Sequence, residues 1–440
     1  MEVISREDYI GPQDHVYPIW FRKIKIGNCN SMNLFHLFSI LIVLSAGFAY
    51  INFRVLKLPN AIGLMLVSLV FSILVIIAGY YFPAFKNVVT GKLSSLDFSD
   101  LLLEGMLSFM LFAGAIPIKY DDLKNEKLAI LLFSTISVII STLIVGFSTF
   151  YLLKIFGLQV NLIHALLFGA LISPTDPIAV LSILKSAGIS KSLETKIAGE
   201  SLFNDGVAVV VFITILQLAQ PGTEINPGSV LLLFGQEAAG GIILGIILGF
   251  GSYKFIASID NYQVEVLITL AVVMGGYTLA HFIHVSGPLA MVTAGLITGN
   301  QGKKFGMSEI TAEYTDKFWE LVDEILNAIL FVLIGAELLI IQMNPRILLI
   351  SLVMIFIALL ARYISLWIPS VAIRGKEIIT QKTLGILTWG GLRGGISIAL
   401  ALSIKPEFNR EIWVTITFII VCFSILVQGM TIGKLTSRLK

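Results

Sequence analysis

Charge is scarce in this chain. Only 13% of its 440 residues are Asp, Glu, Lys or Arg, against 56% apolar, and the mean hydropathy is +0.91. Soluble domains carry about 25% charged residues, so a water-soluble globular protein is excluded. Cysteine is scarcer still. Cys29 and Cys422 stand far apart, which leaves no disulfide framework, zinc ribbon or haem-attachment spacing. No HExxH, GxSxG or GxxxxGK[ST] occurs, so the signatures of metalloprotease, serine-hydrolase and P-loop chemistry are missing and no enzyme is expected. The net charge is only +2 and gives no pointer to a nucleic-acid partner. Residues 1–32 form a polar N-terminal tail without an apolar run, and no cleaved signal peptide is expected there.

What the chain has instead is long apolar runs, such as "AIGLMLVSLVFSILVIIAGYYF" and "AILLFSTISVIISTLIVGFSTFYLL". Each is near the ~20 residues that cross a ~30 Å hydrocarbon layer. Runs bounded by charge, Gly and Pro predict an all-α polytopic protein of about thirteen transmembrane helices, with the lipid bilayer as its surroundings. The expected organisation is a first six-helix repeat over 33–218, a linking helix over 229–256, a second six-helix repeat over 263–433 and a short tail over 434–440. Lys and Arg concentrate in the loops on the C-terminal side of the membrane. The positive-inside rule therefore puts the C-terminus in the cytoplasm and the N-terminus outside.

The clear cases of charge deep inside these spans are Asp176, Glu200, Asp205, Arg362 and Arg393. Each costs ~2.5–3.5 kcal/mol at a helix centre, so each requires a reason. Counted from the cytoplasmic ends of their helices at ~1.5 Å per residue, the five lie within a layer ~9 Å thick. Four helices thus bring charge to one level.

That level also holds two helix breaks. In "GALISPTDPIAVL", Pro174 and Pro177 bracket Asp176. Proline removes a backbone donor and disfavours helical geometry in the preceding residue, so Ser173 and Asp176 are expected to be extended, with a break near 173–177. In "TWGGLRGGISIAL", four glycines bracket Arg393 and predict a second break near 390–395. The breaks fall in the fifth span of each half. Equivalent broken helices in two inverted repeats mark a transporter's binding site. On the sixth span Glu200, Ser201, Asn204 and Asp205 share one face. Oxygens of Asp176, Ser201 and Asp205, with loosened carbonyls near Thr175, make a site for a hard cation.

These motifs resemble those of the monovalent cation:proton antiporter-1 family, the NhaP and NHE type. The resemblance rests on "SPTDP", "GESLFNDGVAVV" and "WGGLRGGISIALAL", supported by "LNAILFVLIGAEL", and it runs from about Leu34 to the end of the chain. It implies exchange of Na+ or Li+ for H+ across the plasma membrane, with no cofactor besides the transported ions. It also implies a homodimer with crossed broken helices. By resemblance Asp205 is the exchanging aspartate, and Asp176, Ser201, Thr175 and Asn204 complete the Na+ and proton site. Glu200 and Arg362 form a structural ion pair, and Arg393 compensates charge at the broken helices. Asn204 standing before Asp205, rather than a second aspartate, is consistent with electroneutral exchange. One departure is Ala113, where many NhaP-like chains carry a glutamate of the ion site. A K+/H+ or Na+/H+ antiporter of the same fold is the alternative. A cation channel is a further one, although no repeated filter-like loop is present.

Other features are open to two readings. Glu320, Asp323 and Glu324 are either a solvated helix start or the mouth of an access funnel. Gly241, Gly245 and Gly249 form a small-residue stripe that packs within the molecule or against a second copy.

Overall fold

The structure is a computed structural model and describes residues 34–82, 101–176, 178–186, 188–220, 227–341, 344–373 and 379–439. The tail 1–32, with Cys29, and Pro177 lie outside the described residues. Every regular element among the described residues is a helix, and the helices fall where the apolar runs place them. Helices α1 (Leu34–Ile51) and α2 (Asn60–Tyr81) are followed by α3 (Leu107–Ala115), which a π-helical turn precedes. Helices α4 (Tyr120–Ser134) and α5 (Ile136–Ile155) make one crossing of 36 residues. It starts well before the apolar run because Asp121 and Asp122 in its first turn favour a helix N-terminus in water.

The fifth crossing is interrupted into α6 (Leu162–Ile172) and α7 (Ile178–Ser186). Then come α8 (Lys191–Leu218), α9 (Pro227–Ile256), α10 (Tyr262–Phe282) and α11 (Gly287–Ile297). Helix α12 (Glu309–Glu337) begins at the cap Ser308, and α13 (Pro345–Ala372) follows. The twelfth crossing is interrupted into α14 (Gln381–Gly390) and α15 (Gly395–Ser403). Helices α16 (Arg410–Phe423) and α17 (Gly429–Leu439) form the last crossing, so residues 434–439 continue a helix. Eight described segments are long and apolar enough to span a bilayer unaided. The interrupted crossings fall short for the same reason that they matter.

Helices α8, α6 and α16 are buried among the others, whereas α9, α10 and α13 carry rows of exposed large apolar side chains that suit contact with lipid. The interior is closed by aromatic contacts. Phe168 stacks on Trp413 with centroids 5.4 Å apart, and Phe112 lies 4.7 Å from Trp319. Each buried indole N–H finds a partner: Trp319 donates to Thr269 at 3.0 Å and Trp413 to the Phe408 carbonyl at 2.6 Å.

The glycine stripe of α9 packs inside the molecule. A Cβ on Gly241 would lie 2.5 Å from the Ser286 carbonyl oxygen, and one on Gly245 would lie 2.5 Å from that of Ala290. Glycine lets α9 and α11 touch backbone to backbone. The loop between α3 and α4 is held at two points by one side chain. Asn300 Nδ2 donates to the Ile118 carbonyl at 2.9 Å, and its Oδ1 accepts from the Tyr120 N–H at 2.7 Å.

Candidate functional site

The two interrupted crossings meet at their breaks. Asp176 and Leu392 form an isolated antiparallel bridge, in which the Asp176 N–H donates to the Leu392 carbonyl at 2.8 Å. Gly391 makes the tight turn before this contact at φ −73°, ψ 73°, and the Leu392 N–H reaches back to the Gly390 carbonyl at 2.8 Å. Two glycines admit the crossing chain. A Cβ on Gly394 would sit 2.6 Å from Asp176 Oδ2, and one on Gly391 would sit 3.1 Å from Thr175 Cγ2. Glycine on one crossing thus makes room for the carboxylate on the other.

One expectation fails here. Ser173 keeps helical angles, φ −74° and ψ −35°, although Pro174 follows it. Its hydroxyl donates to the Gly169 carbonyl four residues back at 2.7 Å, which holds the last turn of α6 together. The steric bias before proline is a preference that this bond overrides. The carbonyls that the break frees are taken up by Arg393. Its Nη1 donates to the Ser173 oxygen at 2.6 Å and to the Pro174 oxygen at 2.9 Å. Its own N–H donates to Ser424 Oγ at 2.8 Å. A cation lies against the C-terminal end of a half-helix, where the partial negative charge collects.

Helix α8 supplies the facing residues. Glu200, Ser201, Asn204 and Asp205 are all buried. Arg362 of α13 grips Glu200 in a fork, with Nη1 and Nη2 each 2.8 Å from one carboxylate oxygen. Two parallel bonds offset much of the cost of burying both charges. Asn204 stitches α8 to the break. Its Nδ2 donates to Thr175 Oγ1 and to Glu200 Oε1, both at 2.8 Å, and its Oδ1 accepts from the Thr175 N–H at 3.4 Å. Thr175 and Ser201 face each other with their hydroxyl oxygens 3.4 Å apart.

A cavity of about 420 Å3 reaches this layer. Asp176, Asp205, Gly394 and Ser397 line its inner part, and Lys119, Asp122, Lys185, Lys191 and Glu194 line its mouth. The mouth carries ion pairs at 2.9 Å between Lys191 and Asp122 and between Lys185 and Glu194. It opens on the side of the molecule that holds the C-terminal helix, where a Cβ on Gly433 would lie 3.2 Å from Ile183.

The candidate residues therefore divide. Asp176 and Asp205 face the cavity; Thr175, Ser201 and Asn204 stand behind them in the wall. Asp205 is 7% exposed, and its Oδ1 accepts no hydrogen bond among the described residues. A buried carboxylate oxygen without a donor is costly unless a cation or a proton meets it. Ala113 is buried in α3 and does not line the cavity; its neighbour Gly114 does. Asp323, which the sequence leaves open between a solvated start and a funnel mouth, lines the cavity together with Asp176 and Asp205. Its acidic character was visible in the sequence, but nothing local in it distinguished Asp323 from Glu320 and Glu324.

Comparison with known proteins gives the family and the fold. The family model "Sodium/hydrogen exchanger, transmembrane" matches residues 40–438. The chain is 45% identical over 403 residues to the Na+/H+ antiporter NhaP of Pseudomonas aeruginosa, covering 90% of this chain and 95% of that protein. It is 33% identical to the Na+/H+ antiporter NhaH of Halobacillus aidingensis, covering 88% of this chain and 93% of the relative. The solved structure of the sodium proton antiporter MjNhaP1 from Methanocaldococcus jannaschii at pH 8 superposes with a TM-score of 0.74 at 20% identity, covering 92% of this chain and 98% of that one. That likeness establishes a shared fold.

Proposed function

Because the chain belongs to the sodium/hydrogen exchanger family, we propose that Asp205 is the group over which one Na+ and one H+ compete, with Asp176 beside it. Sodium/proton exchange is the family's activity, and its members are transporters. The observation that carries the assignment is the unpartnered Asp205 Oδ1 at a cavity that Asp176 shares.

The chemistry follows from charge. With Na+ bound, both carboxylates stay ionised around it. When the ion leaves down the cavity, two acidic groups remain in a poorly hydrated pocket, and one proton replaces the lost charge. Cation and proton thus exclude each other, and that exclusion couples the two fluxes. One carboxylate trading one Na+ for one H+ moves no net charge, so the exchange is electroneutral. Thr175, Ser201 and Asn204 fix the break and supply neutral oxygens when the ion draws the wall inward. Arg393 and the Glu200–Arg362 pair hold the crossing while it is empty.

The cavity describes a state open to one side, taken as the cytoplasm of a cell whose plasma membrane holds the protein as a homodimer. Moving the crossed helices against the remaining bundle would expose the same layer to the other side. In proteoliposomes loaded with a pH-sensitive dye, Na+ added to the unaltered protein should drive proton flux. Asp205→Asn should abolish it while the protein remains folded. Sodium-driven proton flux at the unaltered rate in that variant would overturn the assignment.

A further inference from the structure

The cavity at the crossing has a neighbour. A second cavity, of about 610 Å3, lies between α1, α2, α7 and α12. Asp323 lines both. One turn further along α12, Asn327 lines the second cavity, and its Nδ2 donates to the Asp323 carbonyl at 2.8 Å. That bond fixes the amide with Oδ1 left over. Oδ1 is buried and accepts no hydrogen bond among the described residues. Across the cavity on α1, Ser45 is 6% exposed, and its Oγ likewise has no partner.

Buried oxygens without donors are rare, and two on one cavity wall point to a ligand that brings positive charge. A carboxylate, an amide oxygen and a hydroxyl are the oxygen types that replace the water shell of a hard cation. Glu324 adds a second carboxylate to the wall, and no Lys or Arg is among the residues lining it. The Lys-bearing mouth of the first cavity differs in this respect.

We propose that Asp323, Asn327 and Ser45 form a staging site for the transported monovalent cation. From it the ion passes along Asp323, the residue common to both walls, to Asp176 and Asp205. The site would concentrate cations next to the exchange layer and strip part of their water before the final step. The proposal rests on the exchange reading above. It adds a second route to the ion site, one that bypasses the Lys residues at the mouth.

The test measures Na+ dependence of exchange in proteoliposomes for Asp323→Asn, Asp323→Glu, Asn327→Leu and Ser45→Val. A charged wall raises the local ion concentration about tenfold or more, so Asp323→Asn should raise the KM for Na+ about tenfold. The loss should fall on KM rather than on the maximal rate. Asn327→Leu and Ser45→Val should raise KM by smaller factors, and Asp323→Glu should restore it. An unchanged KM in Asp323→Asn would overturn the proposal, as would a lower maximal rate at constant KM. Thermal stabilisation of the purified protein by Na+ separates the two readings. Asp205→Asn should keep only the weaker part that the staging site supplies, and Asp323→Asn should need more Na+ to reach full stabilisation. If Asp205→Asn is stabilised as strongly as the unaltered chain, the exchange reading fails; if Asp323→Asn titrates like the unaltered chain, the staging site alone fails.

Discussion

The main-chain N–H of Asp176 and the carbonyl of Leu392, 216 positions further along the chain, are 2.8 Å apart. This bond joins the two interrupted crossings at the level of the cavity. It also sets Asp176 against Gly394, where no side chain intervenes.

Gly394→Ala is therefore expected to impair exchange strongly. The added Cβ would meet Asp176 Oδ2 at 2.6 Å and Asp176 Cβ at 2.7 Å, so the carboxylate must move. Misplacing a reacting group by about 1 Å can cost on the order of 100-fold in rate. Dye-reported exchange in proteoliposomes should fall at least about tenfold, with the variant still eluting as a folded protein.

Breaking the fork between Glu200 and Arg362 should damage the fold more than removing it. Both side chains are buried, and leaving one charge alone costs ~3–5 kcal/mol. Glu200→Gln and Arg362→Met should each lower the thermal unfolding temperature in detergent. The double variant should recover part of the loss, and additive losses would refute the pairing as the source of the cost.

Arg393 serves two carbonyls at once, so the charge alone will not replace it. Arg393→Met strands the Ser173 and Pro174 oxygens, each formerly in a charge-assisted bond worth about 1.5–3 kcal/mol. Arg393→Lys keeps the charge, but its strongly hydrated ammonium on a different stem does not match the position that Nη1 holds between the two carbonyls. The stability order should be Arg above Lys above Met in thermal unfolding.

Proton–cation competition has a definite sign. Protonation of the exchanging carboxylate removes the Na+ site, so acidification must weaken Na+ binding. Under strict competition below the site's titration, the apparent KM for Na+ should rise about tenfold for each unit of falling pH. By reciprocity, Na+ added to purified protein in weak buffer should release protons. A KM that does not vary with pH would break the coupling scheme.

The glycine stripe makes a prediction about assembly. Gly245→Val should destabilise the protein, because its Cβ would meet the Ala290 carbonyl oxygen at 2.5 Å within the same molecule. Its oligomeric state in size-exclusion chromatography with light scattering should not change.

The sequence alone determined where the apolar helices run and the level at which their charges meet, because hydrocarbon excludes charge and each apolar run must be about as long as the bilayer is thick. It also located both breaks. Proline and glycine act on the backbone beside them, as Pro174 does before Asp176 and Gly391 does before Leu392. The shared face of Glu200, Ser201, Asn204 and Asp205 follows from helical spacing. Their family roles came from resemblance rather than from spacing. Other features belong to the tertiary structure. Ser173 stays helical because of a hydroxyl bond to Gly169 and carbonyl bonds to Arg393, which lies far along the chain. Asn204 spends both amide protons on Thr175 and Glu200, and so stands in the wall instead of facing the cavity. Asp323 joins the cavity, while Glu320 and Glu324 do not line it. Local rules decide where a helix begins, bends and ends. Which side chains meet in one cavity depends on how distant helices dock, and no short-range pattern encodes that.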